Sequence, residues 1–114
     1  MDLDIKESGN ICTLKLKGRF VSGEPVSQFE AAFQSALASG HIFLILDLED
    51  VSFLDSSGIG SIVNSLRMST KLGGNTKLVK PATFVSKTLN MVGILGLFSV
   101  FESVADAVTA CQGS

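Results

Sequence analysis

The N-terminal residues alternate, with Leu3 and Ile5 on one side and Asp2, Asp4 and Lys6 on the other. That two-residue period predicts a half-buried strand. A turn at "SGN" (8–10) follows, and "ICTLKLKG" resumes the alternation, placing Cys12, Leu14 and Leu16 inward and Thr13, Lys15 and Lys17 outward. The two strands are expected to form an antiparallel hairpin ending at Gly18. The period then lengthens. Pro25 suits a first helical turn, and Val26, Phe29, Phe33 and Leu37 share one helical face until Gly40 stops it.

"IFLIL" at 42–46 shows no alternation, which predicts a central strand buried on both faces, with parallel neighbours and covering helices. Past "FLDSSG", Ile59, Ile62, Val63 and Leu66 predict a helix with that apolar stripe, ended by "GGN" at 73–75. "TKLVK" is a short strand closed by Pro81. Phe84, Val85, Leu89 and Val92 predict a third helix, and "LFSVF" at 97–101 a last strand. Ser103 and Asp106 form a capping box for a final helix facing inward through Val104, Ala107, Val108 and Cys111. Strands alternating with helices give an α/β fold: one domain over 1–114, with a mixed, mostly parallel sheet of about five strands and about four helices.

Charge narrows the function. The formal net charge is −2, so nothing suggests nucleic-acid binding or a polybasic membrane contact. Cys12 and Cys111 match no zinc or redox spacing and are expected as buried thiols in a reducing cytoplasm. "MDLDIKES" does not build a secretion leader, and "VGILGLFSVF" is about half a membrane span. The expectation is a cytoplasmic chain, a monomer or weak dimer, without cofactor or metal. Only 18% of residues are charged and the mean hydropathy is +0.42. Such a surface is expected to be covered in part by a partner.

The chemistry concentrates in "FLDSSGIGSIV" at 53–63, past the carboxyl end of the most buried strand and at a helix start. That is the usual address of a site in an open α/β sheet. Asp55 or Ser56 suits a helix N-cap, which leaves a second hydroxyl unexplained. A Ser56 nucleophile needs a base, but His41 lies about 20 Å away if a strand of six or seven residues intervenes. "GIG" lacks the rest of a dinucleotide or P-loop signature, although a helix start can still hold an anion. Phosphorylation of Ser56 or Ser57 uses every residue of the motif. The helix start offsets part of the added charge, while a partner docked there meets a dianion beside Asp55. The face bearing Ser57, Gly60, Ser61, Asn64, Met68 and Lys71 is small and nearly uncharged, which suits close docking.

"LILDLEDVSFLDSSGIGSIV", "GGNTKLVK" and "MVGILGLFSVFESVADAV" together resemble the STAS domain family, specifically the bacterial anti-sigma-factor antagonists. The resemblance implies a non-enzymatic, phosphorylation-gated partner switch. The unmodified antagonist binds an anti-sigma factor that is also a serine kinase, phosphorylation releases it, and a serine phosphatase resets it. The family's acceptor maps to Ser56, with Ser57 the alternative. The docking surface maps to Asp55, Ser56, Ser57, Gly58, Gly60, Ser61, Asn64 and Met68. Where the family often carries an acidic "Gly-Glu-Leu-Asp" type segment, this chain has "GRFVSGEP", with Arg19 and Val21 replacing the acids. The same resemblance allows a STAS scaffold, or a regulator of a pathway other than transcription.

Overall fold

The computed structural model describes residues 1–113. Strands β1 (Asp2–Ser8) and β2 (Ile11–Phe20) form the expected antiparallel hairpin. Gly9 turns it at φ 58°, a conformation that L side chains resist. β2 runs two residues past Gly18, because irregularities between Lys15 and Lys17 and between Gly18 and Arg19 let it follow its neighbour. Helix α1 (Glu24–Ala38) carries Pro25 in its first turn and buries Phe29, Phe33, Ala36 and Leu37.

β3 (Phe43–Leu54) is far longer than the "IFLIL" core suggests. Its first half is buried on both faces; beyond Asp47 one face opens to water, and charged residues continue the strand. Helix α2 (Ser56–Lys71), strand β4 (Asn75–Val79) and helix α3 (Thr83–Met91) follow. The expected strand at 97–101 is mostly something else. Leu95–Leu97 form a short 3₁₀ turn, Phe98 buries its ring, and only Val100–Phe101 pair, as β5. Helix α4 (Val104–Gln112) closes the fold, capped by Ser103 Oγ, which accepts the Asp106 N–H at 3.1 Å.

The sheet order is β1-β2-β3-β4-β5, parallel except for the β1–β2 pair. Cys12, Leu14, Leu16, Leu44, Leu46, Leu48 and Leu78 face α1, α2 and α3. Ile11, Phe43, Ile45 and Val79 face α4 alone. Three helices on one face and one on the other leave the far end of the second face to Lys15, Asp47 and Asp50, joined as ion pairs.

Two apolar stripes differ from expectation. In α3 only Val85 and Leu89 are buried; Phe84 and Val92 are exposed. In α2 the buried row is Gly58, Ser61, Ile62, Ser65 and Ser69, while Ile59, Val63 and Leu66 sit at the margin. Small inward residues let α2 lie close on β4, and their hydroxyls find partners inside. Ser65 Oγ donates to Ile62 O at 2.6 Å, Ser69 Oγ meets Thr76 Oγ1 at 2.8 Å, and Thr76 Oγ1 donates to Ser65 O at 3.0 Å. Burying these groups costs little once each is paired. The expected apolar surface is present: Met91, Val92, Leu97 and Leu72 are all more than half exposed.

Cys12 belongs to the core beneath α1–α3 and Cys111 to the core beneath α4, so the sheet itself separates the two thiols. Burial, with a smaller contribution from the Glu7 charge, pushes the Cys12 thiol up to about 11. Burial raises Cys111 as well. A thiol that stays protonated and covered is a poor nucleophile. Neither cysteine should react with a thiol reagent at pH 8 in the folded protein, and both should react in denaturing urea; rapid labelling of either in the native state would contradict the burial described here.

Candidate functional site

β2 and β3 end side by side, with Phe20 opposite Leu54. Phe20 is locked into the core by edge contact with Phe29 at 5.1 Å, and this fixes where the chain leaves β2. The next residue after β3, Asp55, is the N-cap of α2 in extended conformation. Its Oδ1 accepts the Gly58 N–H at 2.9 Å, the standard cap contact. Its Oδ2 accepts the Ser22 N–H at 2.9 Å, from the loop after β2. One carboxylate thus ties the start of α2 to a segment 33 residues earlier in the chain. These two N–H groups, Ser22 first, with smaller contributions from the Ser22 hydroxyl and the Ser57 N–H, hold the Asp55 carboxyl below its ordinary value.

Gly58 completes the joint. A Cβ there would stand 2.4 Å from Phe20 O and 2.9 Å from Leu54 Cδ1. The helix can approach the strand ends only because this position has no side chain.

The outer side of the same turn is open. Ser56, Ser57 and Gly60 are exposed, Asp55 half-buried, and Asn64 and Met68 half-buried further along the helix. Two residues of the expected docking surface lie elsewhere. Gly58 is buried at the joint, and Ser61 is buried against α1, where its Oγ donates to Glu30 Oε2 at 3.0 Å. The α2 surface is also less neutral than expected. Gly60, Asn64, Arg67 and Lys71 form one helical row, and the Arg67 guanidinium donates to Asn64 Oδ1. Arg67, three residues after Asn64, joins the expected face of Ser57, Gly60, Asn64, Met68 and Lys71 and brings a second cation to it. Beside the turn, the Arg19 guanidinium stacks 4.6 Å over the Phe53 ring, which is 45% exposed.

His41 stands at the opposite end of the 12-residue β3, further from Ser56 than the short strand implied. Its Nδ1 meets Gly9 O and its Nε2 meets Glu7 Oε2, each at 2.6 Å, pinning the hairpin to the strand. Among the described residues no group of three or more His, Cys, Asp or Glu gathers to hold a metal ion. No helix among them is long and apolar enough to cross a membrane.

The family model for the STAS domain matches residues 2–107. The chain belongs to the STAS domain family. The anti-sigma F factor antagonist of Lysinibacillus sphaericus is 31% identical over 89 residues, 77% of this chain and 75% of that protein. Among solved structures, the anti-sigma factor antagonist SpoIIAA in its unphosphorylated form superposes with a TM-score of 0.86, at 23% identity over 99% of this chain and 98% of that one. The Bacillus SpoIIAA in its phosphorylated form gives 0.78, at 22% identity over 96% and 98%. The STAS fold of this chain therefore matches SpoIIAA in both states.

The Asp55 tie has a testable pH signature. Its folded-state pKa is lowered, so its contribution to stability is fully present above the unfolded-state pKa and lost as pH falls through the folded-state value. Asp55→Ala should lower the neutral-pH melting temperature by several degrees, and the gap to the unmodified protein should narrow below about pH 3.9. Thermal melts across that range measure it; a gap independent of pH would show that the carboxylate charge contributes nothing.

Proposed function

We propose that this STAS domain is an anti-sigma-factor antagonist, a partner-switching protein gated by phosphorylation of Ser56. The observation that carries the reading is the division of one helical turn. Asp55 and Gly58 face inward and hold the fold together, while the Ser56 and Ser57 hydroxyls face outward and bond to no other described residue. A kinase can reach the outer side without opening the core. The relative from Lysinibacillus sphaericus, itself an anti-sigma F factor antagonist, supports the same role.

The physics of the switch is local. Phosphate adds about −1.5 to −2 charges. At the first turn of α2 the helix dipole offsets part of that cost, so the fold tolerates it. A partner seated on the turn meets the dianion beside the Asp55 carboxylate and is repelled. The docking surface on this reading is Asp55, Ser56, Ser57, Gly60, Asn64 and Met68, extended by Arg67 and Lys71. The partner is an anti-sigma factor acting as a serine kinase, a serine phosphatase resets the site, and the protein works in the cytoplasm.

Ser56→Asp should weaken binding of that kinase partner by about a hundredfold, since like-charge contact costs several kcal/mol. The melting temperature should change by less than about 4 °C, as for other exposed substitutions. Ser56→Ala should bind and remain bound in ATP, while Ser57→Ala should still release. Isothermal titration with and without ATP, with mass mapping of the phosphate, decides among these; release of the Ser56→Ala variant by ATP would remove Ser56 from the mechanism.

A further inference from the structure

The first strand of the sheet carries a self-complementary sequence on an open edge. β1 is seven residues long and, among the described residues, pairs only with β2. The hairpin loop holds two residues between the paired Ser8 and Ile11, and in such a hairpin the closing pair exchanges both backbone hydrogen bonds. Because the β1–β2 register is continuous, the backbone groups of Asp2, Asp4, Lys6 and Ser8 turn toward β2. Those of Leu3, Ile5 and Glu7 turn to the free edge. An unpaired row of this kind is a template for another strand.

Natural sheet edges are usually guarded by charge. Here two of the four charges, Asp4 and Lys6, are placed so that a second copy pairs them. When β1 meets β1 antiparallel with Ile5 on the two-fold axis, Leu3 faces Glu7 and Asp4 faces Lys6, each contact occurring twice by symmetry. All seven residues then pair, and the outward groups of Leu3, Ile5 and Glu7 form about six backbone hydrogen bonds. Asp4 and Lys6 become a non-hydrogen-bonded pair, the geometry in which opposite side chains are closest. Asp4 already takes Lys17 at 3.5 Å, so Lys6 of the second copy would extend that pair into a row. Ile5, 48% exposed in the single chain, covers its own counterpart. Centring the pair on Asp4 instead sets two carboxylates face to face, which is unfavourable.

We propose that β1 is a homodimer interface: two copies join their sheets edge to edge through an antiparallel β1–β1 pairing centred on Ile5. One strand pair buries far less than the roughly 1,600 Å² of a standard interface. The dimer is therefore weak and concentration-dependent, and each dimer presents two Ser56 turns. This inference does not depend on what the Ser56 turn binds.

The register makes the test specific. Cα atoms of a hydrogen-bonded pair lie about 5.5 Å apart, inside the range of about 4.4–6.8 Å that a disulfide spans. Ile5→Cys should therefore cross-link to itself under mild oxidation. Glu7→Cys, whose counterpart lies roughly 13 Å along the strand, should cross-link at least tenfold less. The native thiols are buried and should not interfere. Sedimentation of the unsubstituted chain from micromolar to millimolar concentration should show mass rising toward a dimer, and Lys6→Glu, which places acids opposite Asp4, should abolish the rise. A monomer at millimolar concentration, or faster cross-linking of Asp4→Cys than of Ile5→Cys, would overturn the proposal.

Discussion

A single carboxylate decides how the two ends of this sheet's central pair meet. Asp55 accepts one N–H from the helix it caps and another from the loop that leaves β2, and the two bonds fix both segments against each other. Without them, α2 would start at the end of a strand with nothing to set its direction except packing. Gly58 allows this geometry by permitting contact with Phe20 O, and Phe20 is in turn held by Phe29 and α1. The exposed hydroxyls of Ser56 and Ser57 are therefore displayed from a rigid base, to which Ser57 adds its backbone N–H and neither adds its side chain.

Rigidity at that joint is bought by small residues elsewhere on α2. The helix presents Gly58, Ser61, Ser65 and Ser69 to the interior, where an ordinary amphipathic helix would present leucines. Its backbone lies close to β4, and Ser65, Ser69 and Thr76 satisfy their hydroxyls against one another or against backbone oxygens. Larger apolar residues, Ile59, Val63 and Leu66, are displaced to the flanks, and Val63 and Leu66 line a shallow groove with Leu97. Tight seating of the inner face and an apolar margin on the outer one follow from the same choice of residues.

Much of this was legible in the sequence, and the failures share a cause. Alternation in "ICTLKLKG" and the unbroken run "FLIL" located the hairpin and the central strand, since the period of burial follows directly from strand geometry. The cap at Ser103 and the proline at 25 marked helix starts by local chemistry alone. α2 departs from its pattern because serines that pair inside the protein look, in sequence, like a solvent face. The reach of β3 past Asp47 was hidden for the complementary reason, as a strand with one wet face and ion-paired carboxylates does not look buried. The bond from Asp55 to Ser22 had no sequence signal, because it joins residues 33 positions apart and its main donor is a backbone N–H that any residue but proline carries.

On the proposed reading, the separation of inner and outer chemistry within one turn has a consequence for the kind of switch this is. A ligand or modification shifts a conformational equilibrium only through unequal interaction with two states. Nothing at Ser56 contacts the Asp55–Ser22–Gly58 joint from inside, and the joint is reinforced by core packing, so a second conformation for the phosphate to favour is not required. Release then comes from charge at the interface itself, not from a change of shape carried to it. The residues flanking the turn set which partner is addressed. Arg19 stacked on Phe53 beside the acidic cap, with Arg67 and Lys71 about three and four turns further down the helix, gives this surface a broken cationic margin. A partner that fits must place acids near that margin and keep them away from Asp55, and phosphate on Ser56 spoils the second condition while leaving the first intact.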